Sequence, residues 1–445
     1  MNPTEIKNIG LRGVTVADTR VSLVDGEQGT LLYRGYSIQD LAAVATYEEV
    51  AFLLLMGRLP TQEETEAVRG RMARDRRLPP EVIAYLRTRR TDADSMDVLQ
   101  GAVAVLADHD PDLTRPGRPA LVRAAMRLTS RLATLLTTWR HLRKGRPLVI
   151  PDSGATHAGA FMQMLLGRDV TDSEVRLMDT LLILHAEHTF NASTFAARQV
   201  ASTRAHLYAA VSAAVGALGG KLHGGANARV MRMLLEIGEV GRVEPWIRER
   251  IAAGQRVMGL GHAVYRTEDP RAGILRGVAE QTLTGFQQQR WLELAREVEV
   301  VGRRLLLAER GLALYPNVDF YSGPILYSLG IPTEMFPAFF AVSRVVGWCA
   351  HVIEEQLAEA QPKATIYRPR AYYVGRYCSP RGCMMVPREQ RGYGCPCGQE
   401  LEGCHELEGE DLLSGRPAAA SAPRAMADPR PKTAERGRSQ NGRKV

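Results

Sequence analysis

The chain has 445 residues, 45% of them hydrophobic and 24% charged, which is the balance of a water-soluble globular protein with room for two or three domains and a large core. No run of the roughly 20 apolar residues that a membrane helix needs is read, and the opening stretch MNPTEIKNIGLRG has neither an apolar signal core nor an Arg-rich amphipathic pattern, so a cytoplasmic location is expected. The net charge of +8 comes from Lys and Arg spread among acidic residues, which argues against a nucleic-acid surface and suits small anionic ligands.

Taken in order, residues 14–36 hold short alternating runs around Asp25-Gly26 and Gln28-Gly29 and predict a small hairpin. From Ser37 the pattern turns helical. Leu41, Val44, Tyr47, Val50, Ala51 and Leu54 recur at helical spacing and predict one helix, stopped at Gly57 to Pro60. Thr61 with Glu64 three residues on reads as a capping box. Helices follow at about 80–89, 94–107, 119–144, 153–167 and 171–188, with turns at Asp110-Pro111 and Pro116-Gly117. The last of these ends at His185 and His188. Asn191 is a candidate N-cap for the next helix, which is expected to run to the Gly219-Gly220 pair. Further helices are expected near 226–238, 243–253, 270–284, 289–309 and 334–358. No repeat of 20–50 residues is evident, and helices of this density beside one hairpin predict an all-α protein.

After Gly375 the composition changes to Cys, Pro and Gly, then to acids, then to Ala, Pro and Arg. The stretch from Gly415 to Val445 has no apolar period and is expected to be disordered. Five of the six cysteines fall between Cys378 and Cys404, so the body lacks a disulfide framework, as in a reducing compartment. Cys378, Cys383, Cys395, Cys397, Cys404 and His405 lack the paired C-x2-C spacing of zinc ribbons and read as incidental thiols rather than a metal site. Cys349, alone in an apolar helix, reads as a buried thiol.

Three stretches gather groups suited to chemistry. One carries His185 and His188 at a helix end, then His223 in the Gly-bounded run Lys221-Leu222-His223-Gly224-Gly225. The second is Gly259-Leu260-Gly261-His262-Ala263-Val264-Tyr265-Arg266, followed by Asp269-Pro270-Arg271. The third runs from Tyr315 to Gly323 around Asp319. Each alone has a plain reading. Asp319, in a Pro/Gly-bounded loop, could cap that loop, and His223 could face solvent. The Gly-x-Gly pair lacks the full dinucleotide-binding pattern and no strand precedes it. His185 and His188, three apart on a helix, could pair on a metal, though no third ligand is obvious. Arg344, inside the apolar helix AVSRVVGW, is the arginine that composition itself singles out.

Together the blocks HAEHTFNASTF, LHGGAN, GLGHAVYRTEDPRA, PNVDFYSG, GIPTEMF and RPRAYYVG resemble the citrate synthase family, including 2-methylcitrate synthases, in order and spacing over about residues 8–375. The resemblance implies a large helical domain (1–221 and 330–375) interrupted by a smaller helical domain (222–329), with 376–445 as a tail beyond it. It implies condensation of acetyl-CoA with oxaloacetate to citrate and CoA, with no cofactor. Asp319 would be the base, His223 the donor to the enol oxygen, and His262 the group that polarises the ketone and protonates the alkoxide. His188, Arg271, Arg344 and Arg368 would hold oxaloacetate, with Arg368 lent by the other subunit of a homodimer. Gly259, Leu260, Gly261 and Arg266 would face CoA, and His185 would be structural. Propionyl-CoA in place of acetyl-CoA is the near alternative. A non-catalytic nucleic-acid-binding protein acting through its basic tail is the distant one, and neither nucleic acid nor membrane is expected as a partner.

Overall fold

A short antiparallel sheet precedes the α-helices, and its first turn is held by one side chain. The Asp25 carboxylate accepts from the Glu27 and Gln28 amides, so β1 (Ser22–Asp25) turns back into β2 (Thr30–Tyr33). A third, two-residue strand, β3 (Tyr36–Ser37), pairs with β2 and extends the predicted hairpin. This computed structural model describes residues 9–11, 13–152, 154–282, 289–371, 385 and 387–390. Met1–Arg368 forms one unit and Pro369–Val445 another; all that follows concerns the first. The tail cysteines lie outside the described residues.

The rest is helical. The predicted helix after Ser37 is in fact two, α1 (Ile38–Val44) and α2 (Tyr47–Met56), because Thr46 and Glu49 form a capping box that starts a new helix. Val44 is therefore 83% exposed rather than part of the core. The capping box at Thr61 and Glu64 opens α3 (Gln62–Asp75) as read from sequence. Then come α4 (Pro80–Arg87), α5 (Ser95–Leu106), α6 (Arg118–Arg143), α7 (His157–Leu166) and α8 (Asp172–His185).

Asn191 caps α9 (Ala192–Ser202) as expected, but that helix does not reach the glycine pair. It breaks at Arg204, which takes a left-handed φ of 67°, and His206 caps a separate α10 (Leu207–Gly219) through the Ala209 amide. The chain continues through α11 (Ala226–Ile237), α12 (Val243–Ala252), α13 (Pro270–Thr282), α14 (Gln289–Arg310), α15 (Val318–Ser328) and α16 (Phe336–Leu357).

The core is built around α16. Its residues are buried on all sides, Cys349 included, and it packs on α2, α6, α8, α9 and α10. The segment Thr333–Leu357 is long and apolar enough to cross a membrane by length and composition, which corrects the sequence reading, but 94% of its apolar window is buried among the other helices. Burial on every face explains the apolar run without a bilayer. Elsewhere α11, α13 and α14 pack on α15, and α12 on α14; α13 also touches α1 and α8.

Candidate active site

The site forms where α8 ends. Helix α8 stops at His185, so His188 lies beyond it and the two do not share a helix face. His185 Nδ1 turns back to the Leu181 carbonyl at 2.8 Å, whereas His188 Nε2 meets the Tyr265 hydroxyl at 3.2 Å. Both rings are buried, which pushes His185 down to about 3 and His188 well below the usual histidine range. No described group of three or more His, Cys, Asp or Glu could hold a metal ion.

Two loops are zipped together to carry His262 and Asp319. The Gly261 amide donates to the Tyr315 carbonyl at 2.8 Å, and the Asn317 amide donates to Gly259 at 3.0 Å. The Asn317 side chain then works twice, donating to the Gly261 carbonyl at 2.9 Å and accepting from the Asp319 amide at 3.0 Å. Gly259 has φ +80°, and a Cβ there would sit 2.8 Å from Phe320, so this turn requires glycine. The hairpin tip braces the same turn. The Arg266 amide donates to the Gly26 carbonyl at 2.8 Å, and a Cβ on Gly26 would meet the Val264 carbonyl at 2.3 Å.

Asp319 lies in the first turn of α15, capped by Asn317, not in a loop as the sequence suggested. Pro316 before the cap and Gly323 inside that helix gave the loop-like pattern. Its carboxylate accepts no hydrogen bond from any described residue. Burial pushes it up to about 6, against the opposing pull of Arg271.

The two imidazoles are fixed in opposite tautomers. His262 Nδ1 accepts from the Val264 and Tyr265 amides at 3.0 and 3.1 Å, so its proton sits on Nε2. His223 Nε2 accepts from the Ser193 amide at 3.2 Å, so its proton sits on Nδ1. The Ser193 hydroxyl lies 2.9 Å from the same nitrogen and accepts from the Trp348 indole at 3.2 Å. Burial pushes both histidines down to about 4, so each is a neutral ring with one N–H to donate.

The arginines differ in how they are held. Arg271 is buried and locked to Asp269 by Nε and Nη2, at 3.0 and 2.8 Å. The same carboxylate accepts the Val318 amide at 3.1 Å, tying Arg271 to the start of α15. Arg344 is only 1% exposed, donates Nε to the His185 carbonyl at 2.6 Å and stacks on Phe340, yet pairs with no described carboxylate. Burial pushes it down to about 10. Its charge is felt at His188, His223 and Asp319. Next to them a cleft of about 400 Å³, open to solvent, is lined by Gly261, His262, Tyr265, Arg266, Leu314 and their neighbours.

A family model of the citrate synthase C-terminal domain matches residues 10–370. The chain belongs to the citrate synthase family. It is 40% identical over 382 residues to a citrate synthase of Synechocystis sp., covering 84% of this chain and 92% of that one. It is 38% identical to a 2-methylcitrate synthase of Mycobacterium tuberculosis, with 82% and 90% covered. The crystal structure of citrate synthase from Pyrobaculum aerophilum aligns with a TM-score of 0.78 at 38% identity, covering 86% of this chain and 95% of that one. A ternary complex of citrate synthase from Thermoplasma acidophilum with carboxymethyl coenzyme A and oxaloacetate gives 0.78 at 32% identity, covering 87% and 100%. The protein is thus an acyl-transferring enzyme of the citrate synthase type with an all-α fold.

Of the residues singled out from the sequence, the structure gathers His188, His223, His262, Arg271, Asp319 and Arg344. Gly259, Leu260, Gly261 and Arg266 lie on the turn beside the cleft, where Leu260 bridges to Pro316. Arg368 is exposed. Sequence reasoning gave no role to Tyr265, Asp269, Ser193 or Trp348. The Asp-Pro-Arg run offered a signal for Asp269, because an Asp two residues before an Arg at a helix start can hold both its amide and its fork.

Proposed function

We propose that the chain condenses acetyl-CoA with oxaloacetate and hydrolyses the resulting thioester to citrate and CoA. Arg344 and the free edge of Arg271 bind the oxaloacetate carboxylates, since guanidinium forks suit carboxylates and Arg344 pairs with no described carboxylate. His188 holds the same substrate beside them. CoA lies along the Gly259-Leu260-Gly261 turn with Arg266 toward its phosphates. Asp319 takes a proton from the methyl carbon of the thioester. His223 Nδ1–H donates to the carbonyl oxygen as it becomes an enol, so the charge on that oxygen never develops unopposed. His262 Nε2–H polarises the oxaloacetate ketone. The enol carbon then bonds to the ketone carbon, and His262 gives its proton to the new alkoxide. Water finally cleaves the thioester and releases CoA.

The observation that carries this reading is a carboxylate with no hydrogen bond from any described residue, pushed up to about 6, together with two neutral imidazoles whose free N–H groups are fixed by backbone donors. The chemistry needs no resident metal or cofactor. Two chains would share each site, each lending Arg368 to the other, and residues 222–329 would close over bound oxaloacetate to exclude water. Unchanged solution scattering on adding oxaloacetate would count against that closure.

A methylene distinguishes propionyl-CoA from acetyl-CoA, and such a group is worth about 1–3 kcal/mol in an apolar pocket. The two thioesters are therefore compared directly by kcat/KM with saturating oxaloacetate. A ratio favouring acetyl-CoA is expected; a ratio favouring propionyl-CoA would make the chain a 2-methylcitrate synthase.

A further inference from the structure

Arg368 is exposed, yet the residue before it is held through its amide, carbonyl, ring and hydroxyl. The Tyr367 amide donates to Ser202 Oγ at 3.4 Å, and its carbonyl accepts from the Gln199 side chain at 3.1 Å. Its ring lies 5.6 Å from that of Phe195. Its hydroxyl donates to Glu355 at 2.8 Å and sits 3.5 Å from Arg198 Nε. Three of these four residues, and Phe195 as well, belong to α9, the helix that starts at the active-site turn.

From Tyr367 a buried polar run leads back into the core. Arg198 is fully buried. Its Nη2 lies 2.6 Å from Glu355, and its Nη1 donates to Glu354 at 2.8 Å and to His351 Nδ1 at 3.1 Å. A guanidinium can only donate, so His351 Nδ1 accepts and its proton sits on Nε2. That N–H donates to Glu187 at 3.0 Å. Glu187 is the residue before His188. Its carboxylate also accepts from the Ser22 hydroxyl at 3.0 Å, and Ser22 Oγ accepts the Thr189 amide at 3.1 Å. One hydrogen-bonded run thus joins the turn that carries His188 to the segment that carries Arg368. None of its described members hydrogen-bonds His223, His262, Arg271, Asp319 or Arg344, although the Glu187 charge acts on Arg344. Burying this many charges is a poor way to gain stability, since apolar side chains of similar volume do as well or better.

We propose that Tyr367 is a positioning residue for Arg368. The run through Glu355, Arg198, His351 and Glu187 fixes the direction in which Arg368 leaves its chain. It also ties that direction to the His188 turn of the same chain. Each chain's own oxaloacetate turn and the arginine it lends therefore move as one body. The inference rests on the reading that Arg368 serves oxaloacetate.

The test is a double-mutant cycle in the full chain: Tyr367→Phe, Arg368→Ala and the pair, each measured for the KM of oxaloacetate, the KM of acetyl-CoA and the melting temperature. Arg368→Ala raises the oxaloacetate KM. Tyr367→Phe raises it roughly tenfold, the factor that corresponds to about 1.4 kcal/mol, with the acetyl-CoA KM unchanged. In the Arg368→Ala background Tyr367→Phe adds nothing, because it acts only through that arginine. If Arg368→Ala raises the KM but Tyr367→Phe leaves it alone, or raises it equally in both backgrounds, the proposal is wrong while the role of Arg368 stands. A merely structural Tyr367 would give that equal effect together with a lower melting temperature. If Arg368→Ala itself leaves the oxaloacetate KM unchanged, both the role of Arg368 and the proposal are overturned.

Discussion

At the scale of single residues the site works by withholding protons and charges from where water would put them. His223 and His262 are pushed down to about 4, so neither changes charge above about pH 5. Asp319 is pushed up to about 6 and must be ionised to act as a base. The acid limb of kcat/KM is therefore predicted to be a single step near pH 6, with activity falling as pH drops through it. A limb centred near 4 would instead assign the base to an unperturbed carboxylate. The same shift has a stability consequence. An Asp raised above its unfolded value stabilises the fold while protonated, and that contribution is lost as pH rises through about 6. Asp319→Asn should then be more stable than the parent at pH 8, by on the order of 2 kcal/mol, and nearly equal to it at pH 4. Arg344 was visible in the sequence because an arginine in an apolar helix has to be explained. The tautomers were not, because they depend on amides of Ser193, Val264 and Tyr265 that only the folded chain brings to the rings.

At the scale of elements, close approach of backbones sets where the catalytic groups stand. A Cβ on Gly347 would lie 2.2 Å from the Ala186 carbonyl and 2.4 Å from Glu187, so α16 presses directly on the turn between His185 and His188. Gly347→Ala is predicted to destabilise the fold by about 1–3 kcal/mol in denaturant unfolding. It should also raise the oxaloacetate KM, since the His188 turn must shift to make room. Wild-type stability and KM in that variant would show that the contact is looser than described. Most helices were legible because periodicity and capping residues agree, as at Thr61 and Glu64. The break between α9 and α10 was not. It depends on a left-handed Arg204 and a histidine cap, neither of which is a usual stop or start signal. Asp319 was placed in a loop for the opposite reason, since Pro316 and Gly323 look like loop bounds although Asn317 starts a helix between them.

At the scale of the whole molecule, the blocks that carry His188, His223, His262, Arg271 and Asp319 fall on separate elements, and the fold brings those side chains together. The likeness of fold and function was legible from those blocks and their order. The hairpin's part in bracing the GLGH turn through Gly26 was not, because it joins residues far apart in the chain. If Arg368 is lent between chains, each inactive variant can repair the other. Chains carrying Arg368→Ala mixed and re-annealed with chains carrying Asp319→Asn should recover up to about a quarter of wild-type activity, because random pairing makes half the dimers mixed and each has one complete site of two. Recovery no greater than the sum of the two inactive parents would place Arg368 outside the partner's site.

The most direct measurement is thiol release from acetyl-CoA in the presence and absence of oxaloacetate, with the product identified, for the parent chain and for Asp319→Asn. Oxaloacetate-dependent release with formation of citrate, lowered by at least about a hundredfold in the variant, is the predicted result. Release that does not need oxaloacetate, or that survives unchanged without the Asp319 carboxylate, would contradict the mechanism.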